Sequence, residues 1–70
     1  MTPGQLFADI DTGCLTEVAC HSFYSDVHGL TIRQTFYAYP DDTHVCLSCV
    51  DGTSTVLSMD ADDVACLYAH

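Results

Sequence analysis

Cysteine and histidine are the residues of this chain best suited to holding a metal ion. The 70-residue sequence has five cysteines and four histidines, and Cys46-Leu47-Ser48-Cys49 has the spacing of half a zinc site. Further candidate ligands are His44, Cys14, Cys20, His21 and His28. In a strand, however, residues three apart point to opposite faces, whereas zinc needs both sulfurs on one side. We therefore expect no metal, no cofactor and histidines at surfaces or turns, with a small zinc-binding module as the alternative.

The sequence offers no recognisable catalytic motif. Cys20 and His21 are neighbours, and adjacent side chains diverge in a strand, so they do not place a thiolate beside a base. The segment Asp60-Ala61-Asp62-Asp63 lacks the glycine and the distal glutamate of a calcium loop. Nucleophile elbows, glycine-rich phosphate loops and dinucleotide fingerprints are also missing. We expect a protein that is not an enzyme and assign no catalytic residue.

Carboxylates dominate the charge of the chain. Ten aspartate and glutamate residues face one cation, Arg33, and the formal net charge is -9. Such a charge repels nucleic acids and anionic membranes, and it speeds association with a basic protein surface. We expect a basic nucleic-acid-binding protein or complex as the partner, without direct binding to nucleic acid or membrane. A generally soluble acidic protein, or one adapted to high salt, is the alternative interpretation of this composition.

Length and composition favour a single domain, residues 1–70. The apolar fraction is 49%, which argues against disorder, yet a chain this short buries only about 60% of its unfolded surface. Dimerisation would add buried surface while the charge opposes it, so monomer and homodimer both stay open.

No apolar run reaches the roughly 18 residues of a membrane span, and residues 1–5 lack a signal-peptide pattern. We expect a cytoplasmic protein of a bacterial host, with reduced cysteines that lie mostly in the core.

Helix signals are confined to the first part of the chain, residues 1–20. Thr2 is a suitable N-cap, Pro3 suits the first helical position, and Gln5 completes a capping box. The apolar residues expected to pack this helix onto the rest of the fold are Leu6, Phe7 and Ile10. Between residues 12 and 20 the pattern does not decide between a second helix and a strand.

The remainder, residues 22–70, is predicted to be an antiparallel meander of four or five strands. The turn segments that separate its runs are His28-Gly29, Pro40-Asp41-Asp42 and Asp51-Gly52. In the second run, the set expected to face the core is Leu30, Ile32, Phe36 and Ala38. The opposite set is Thr31, Arg33, Thr35, Tyr37 and Tyr39. The fold class is therefore α+β, with a short N-terminal helical segment followed by the meander.

The last segment, residues 55–68, is predicted to form a strand, a single helical turn and a final short strand. This layout resembles the end of small SH3-like and Sm-like barrels. The resemblance implies that the meander closes into such a barrel, and it implies nothing about function.

Meander topology predicts where the charges gather, because alternate turns lie at the same end of a sheet. Turns 40–42 and 60–63 should be neighbours, and the opposite end should hold Asp26, His28 and Asp51. We call the carboxylates of the neighbouring turns the acidic end: Asp41, Asp42, Asp60, Asp62 and Asp63. They can stand where the phosphates of a nucleic acid would stand, although turn formation and helix capping are the alternative roles of each aspartate.

Two tyrosines are predicted to supply the apolar part of the same partner-binding surface. Tyr37 and Tyr39 should lie outward on the sheet, and tyrosine is a common anchor of protein interfaces. The alternative is that the N-terminal helix covers their face, in which case Leu6, Phe7 and Ile10 pack on it.

The chain resembles two groups of known proteins. In short length, acidity, single domain and lack of catalytic motifs it is similar to small phage-encoded inhibitors, including anti-CRISPR proteins. That resemblance implies that the protein mimics nucleic acid and thereby blocks the binding of target DNA by a CRISPR effector. A second resemblance is to the strand-turn-strand end of bacterial Rho inhibitors, which are acidic Sm-like proteins. It depends on the layout of Cys46-Leu47-Ser48-Cys49-Val50-Asp51-Gly52, followed by Val56-Leu57-Ser58-Met59-Asp60 and Val64. This second resemblance implies a transcription regulator.

Overall fold

The structure, a computed structural model, describes residues 1–69. Its elements in chain order are α1 (Pro3–Asp11), β1 (Thr16–Ser25), β2 (Leu30–Ala38), β3 (His44–Val50), β4 (Thr53–Ser58) and α2 (Ala61–Tyr68). The strands form one antiparallel sheet in the order β1-β2-β3-β4. The predicted α+β class with an N-terminal helix and a four-strand meander is confirmed. Within residues 1–69 the sheet has β1 and β4 as open edges, and closure into an SH3-like or Sm-like barrel is not observed.

α1 begins at the capping box that the sequence predicts. Thr2 Oγ1 accepts the backbone N–H of Gln5 at 3.2 Å, and Gln5 Oε1 accepts the N–H of Thr2 at 2.8 Å. Leu6 is fully buried, whereas Phe7 is 46% exposed. The expectation that Phe7 packs together with Leu6 is wrong, because successive residues of a helix lie about 100° apart around its axis.

The undecided segment, residues 12–20, contains a turn and the first half of a strand. The chain turns at Gly13, which has a φ of 75°, and β1 starts at Thr16. The helical part of the chain is thus shorter than residues 1–20, and the sheet begins before residue 22. Pairing with β2 along the whole of β1 decides the conformation, and this long-range contact leaves no mark on the local pattern. A register shift between Glu17 and Ala19 adds an irregularity near the start of β1.

α2 occupies the place of the predicted final strand. Asp60 Oδ1 accepts the N–H of Asp63 at 2.9 Å, and Asp63 Oδ2 accepts the N–H of Asp60 at 3.3 Å, which forms a second capping box. The single helical turn expected here therefore continues to Tyr68. The prediction of a strand is wrong because the half-buried residues, Val64 and Leu67, are three apart, which is the spacing of a helix face.

Strand alternation gives the sheet two faces, and α2 lies on one of them. This face, the α2 face, carries Phe23, Phe36, Cys46 and Leu57. Cys66 and Leu67 of α2 line a cavity together with these side chains. The set predicted to face the core, which includes Ile32 and Phe36, lies on the α2 face and is half-buried.

The other face, the α1 face, carries Thr35, Tyr37, Leu47 and Val56. α1 contacts β4, and its Asp9 bonds to Tyr39, which continues the α1 face beyond β2. Thr35 was expected to point outward, yet it is only 7% exposed. The outward prediction is wrong for Thr35, because a helix lies on each side of the sheet.

Neither of the two helices in residues 1–69 is long and apolar enough to cross a membrane.

Candidate functional site

The β2–β3 turn and the start of α2 lie at the same end of the sheet. Ser58, the last residue of β4, pairs with Val45, and the N–H of Met59 donates to the carbonyl of His44 at 3.4 Å. The acidic end therefore gathers around the first residues of β3, as the meander predicts. Asp26, His28 and Asp51 lie in the turns β1–β2 and β3–β4, at the opposite end, also as predicted.

Three of the five carboxylates of the acidic end, those of Asp41, Asp60 and Asp63, are held by hydrogen bonds from the backbone. Asp41 Oδ1 accepts the N–H of Thr43 at 3.0 Å, and hydrogen bonds from the side chain and backbone of Thr43 lower the pKa of Asp41. Asp42 has a φ of 69°, a left-handed conformation that aspartate tolerates. Asp60 and Asp63 form the cap of α2. The turn and capping roles are thus real, and all five carboxylates remain exposed.

His44 connects the acidic end to the last turn of α2. It is 7% exposed, with Nδ1 2.7 Å from the carbonyl of Asp42 and Nε2 2.9 Å from the hydroxyl of Tyr68. A carbonyl only accepts, so Nδ1 carries a proton, and Nε2 shares a hydrogen bond with the Tyr68 hydroxyl. The expectation that the histidines are surface residues is wrong for His44, and His70 lies outside the described residues. No local signal pairs His44 with a residue 24 positions away.

Tyr37 and Tyr39, the predicted aromatic part of the site, are half-buried on the α1 face. The Tyr39 hydroxyl donates to Asp9 Oδ2 at 2.7 Å. Burial is the largest cause, and the hydrogen bond to Asp9 the next, of a rise in the pKa of Tyr39 to about 12. Burial also raises the pKa of Tyr37. The alternative in which α1 covers this face is the arrangement observed at Tyr39. The structure thereby brings Asp9 toward the acidic end.

A groove on the α2 face opens beside the acidic end. Its volume is about 500 Å³, and its lining includes Phe23, Phe36, Leu57 and Leu67. Asp63 of the acidic end also lines it. Sequence reasoning missed the groove because the segment of α2, which forms one wall, was predicted to be a single helical turn and a short strand.

The only cation of the chain contacts a thiol on the α1 face, away from the acidic end. Arg33 Nε donates to Cys20 Sγ at 3.4 Å, and Thr35 Oγ1 lies 3.6 Å from the same sulfur. The hydrogen bonds from Arg33 and then Thr35 lower the pKa of Cys20, and Cys20 in turn raises the pKa of Arg33. Arg33 pairs with Cys49 near the far end of β3, so it is separated from the carboxylates of the acidic end.

The cysteines and histidines do not converge on one point. Cys46 lies on the α2 face and Cys49 on the α1 face, as strand alternation requires. In residues 1–69 no group of three or more His, Cys, Asp or Glu side chains could hold a metal ion. Cys46 is buried, but Cys14, Cys20 and Cys66 are exposed, so the expectation that most cysteines lie in the core is wrong. A four-strand sheet with two short helices has too little interior for them.

No family model matches the sequence, and no curated protein or solved structure is significantly similar to the chain.

Proposed function

We propose that this small acidic β protein is a non-enzymatic inhibitor whose acidic end binds a basic surface of a nucleic-acid-handling complex. The observation that supports the proposal is the separation of charge in the fold. Five exposed carboxylates stand at one end of the sheet, while Arg33, the only cation, lies nearer the other end against Cys20. A partner's arginine and lysine side chains would form charge-assisted hydrogen bonds with such carboxylates.

The rigidity of the acidic end favours competition with nucleic acid. Basic channels of nucleic-acid-binding complexes neutralise phosphates, and any other ordered array of negative charge can occupy them. Asp41 is fixed by Thr43, Asp60 and Asp63 fix each other, and His44 holds the backbone at Asp42. The carboxylates of Asp41, Asp60 and Asp63 then lose little conformational freedom on binding. The proposed mechanism is that of an anti-CRISPR-like protein that prevents a CRISPR effector from binding target DNA.

A transcription regulator similar to Rho inhibitors is the second candidate. β3, the Asp51-Gly52 turn and β4 form the strand-turn-strand unit on which that resemblance depends. The helix α2 that follows in place of a strand makes this candidate the weaker one.

The test compares two double variants that each remove two negative charges. D41N/D42N neutralises part of the acidic end, and D26N/D51N does so at the opposite end. Asparagine keeps a side-chain oxygen for the Thr43 N–H, and it tolerates the left-handed backbone of Asp42 and Asp51. Differences between the variants therefore report where the charge lies and not how much charge the protein carries.

The measurement is target-DNA binding by purified CRISPR effectors loaded with guide RNA, with the protein added at low and at high salt. We expect the unmodified protein to block DNA binding more weakly as salt rises, because exposed charges are screened. D41N/D42N should slow association with the effector several-fold, and D26N/D51N should leave it unchanged. Equal effects of the two doubles would contradict the acidic end as the binding surface. Inhibition of Rho-dependent termination without any effect on CRISPR effectors would favour the second candidate.

A further inference from the structure

The groove on the α2 face leaves apolar side chains open to solvent. Phe23 is 47% exposed and Leu57 is 47% exposed, and both line the groove. Phe36 and Cys46 also line it, and Leu67 lines it from the helix side. A groove of about 500 Å³ has room for one or two large apolar side chains. Open apolar surface of this kind is typical of interaction sites.

The charge around the groove is negative. Within residues 1–69, its lining contains Asp63 and His21 but no arginine or lysine. Asp60 and Asp62 stand on or next to the same first turn of α2 as Asp63. Arg33, the only cation of the chain, lies on the opposite face of the sheet. An apolar side chain that enters the groove therefore comes close to the carboxylates at the rim. Basic residues next to that side chain would be attracted to these carboxylates.

We propose that the groove receives an apolar side chain flanked by arginine or lysine residues, presented by the surface of a basic partner protein. The apolar side chain packs against Phe23, Phe36 and Leu57, and its basic neighbours pair with the carboxylates at the start of α2. This inference rests on the proposed function, since it names the anchor through which the partner is held. A second copy of this chain is a poor occupant, because it carries the same charge of -9 and a single cation.

The groove and the carboxylates should affect different rate constants of binding. Charges at the rim of an interface mainly set the association rate, whereas a buried apolar anchor mainly sets the dissociation rate. Substitutions in the groove should thus accelerate dissociation and leave the salt dependence of association intact.

Binding is tested with three synthetic peptides and the isotope-labelled protein, followed by NMR. The first peptide has the core Lys-Arg-Leu-Arg-Lys, the second replaces its leucine by serine, and the third replaces its basic residues by glutamate. We expect only the first to shift the resonances of Phe23, Leu57 and Asp63 in a saturable way. Equal binding of the first and second peptides would overturn the proposal, because charge alone would then account for the interaction. Shifts of the groove residues on raising the protein concentration without peptide would overturn it in favour of self-association.

Phe23 and Phe7 provide a matched pair of variants. Both are phenylalanines of nearly equal exposure, 47% and 46%, but only Phe23 lines the groove. Phe23→Ala should weaken binding of the first peptide by about tenfold or more, as loss of an interface anchor does, and Phe7→Ala should leave it unchanged. Equal weakening by the two variants would overturn the groove as the binding site.

A comparison of Phe23→Ala with D41N/D42N separates this inference from the proposed function. If D41N/D42N slows association with the partner complex while Phe23→Ala leaves dissociation unchanged, the acidic end stands and the groove proposal is wrong. If Phe23→Ala weakens peptide binding but no basic complex is inhibited at low salt, the groove binds such peptides and the proposed function is wrong.

Discussion

The contact between Arg33 and Cys20 shows what one neighbouring side chain does to the chemistry of a thiol. Arg33 Nε lies 3.4 Å from the sulfur, and Cys20 remains exposed to reagents. The guanidinium favours the thiolate, which is the nucleophilic form of cysteine. A lower pKa increases the thiolate fraction near neutral pH more than it reduces the intrinsic nucleophilicity of the sulfur.

We therefore predict that Cys20 is alkylated by iodoacetamide at pH 7 several-fold faster than Cys14 and Cys66, which are also exposed. Arg33→Gln should remove most of this advantage and leave the rate at Cys66 unchanged. Mass spectrometry of the peptides from timed reactions measures each rate. Similar rates at all three cysteines of the unmodified protein would show that the guanidinium does not activate Cys20.

Tyr39 makes the stability of the protein sensitive to alkaline pH. Its pKa is raised from the ordinary 10 to about 12 by burial and by the bond to Asp9. The unfolded chain therefore loses this proton first, so the stabilising contribution is complete below about pH 10 and is lost as pH rises toward 12.

We predict that Tyr39→Phe shows a smaller loss of unfolding free energy between pH 9 and pH 11 than the unmodified protein. Tyr37, whose pKa is also raised, contributes its own loss in both proteins. Denaturant titrations at each pH, with tyrosine ionisation followed by absorbance, provide the comparison. Identical pH profiles for the two proteins would contradict the role assigned to Tyr39.

At the scale of elements, α2 depends on both of its ends. Its first turn is capped by Asp60, and its last turn is tied to the sheet by the bond between Tyr68 and His44. None of its residues is buried, so these polar contacts contribute more to the stability of α2 than they would in a helix embedded in a core. Hydrogen bonds at the two ends of α2 therefore position both one wall of the groove and two carboxylates of the acidic end, Asp60 and Asp63.

We predict that Asp60→Ala lowers the free energy of unfolding by about 1 kcal/mol, because the backbone N–H of Asp63 loses its acceptor. Asp60→Asn should have little effect, since asparagine caps a helix as well as aspartate does. Chemical denaturation of the three proteins measures the difference. Equal destabilisation by the alanine and asparagine variants would mean that charge, and not the cap, is the source.

At the scale of the whole molecule, the sequence predicted the parts that local signals determine. The capping box of α1, the turn at Asp51-Gly52 and the gathering of the acidic turns at one end follow from residue types and from the alternation of hairpins. Long-range partners determine the rest. β1 becomes a strand by pairing with β2, and the groove exists only because residues of α2 line it together with the sheet, so neither could be read from a local pattern.

The open sheet gives the negative charge a second role. β1 and β4 both expose an edge, and β1 is ten residues long, which is enough to template pairing with another chain. Like charges on every copy keep such edges apart. Near the isoelectric point of about 4.1 this repulsion vanishes, and the strand edges of neighbouring copies are free to join. The carboxylates proposed to attract a partner thus also protect the protein from its own aggregation.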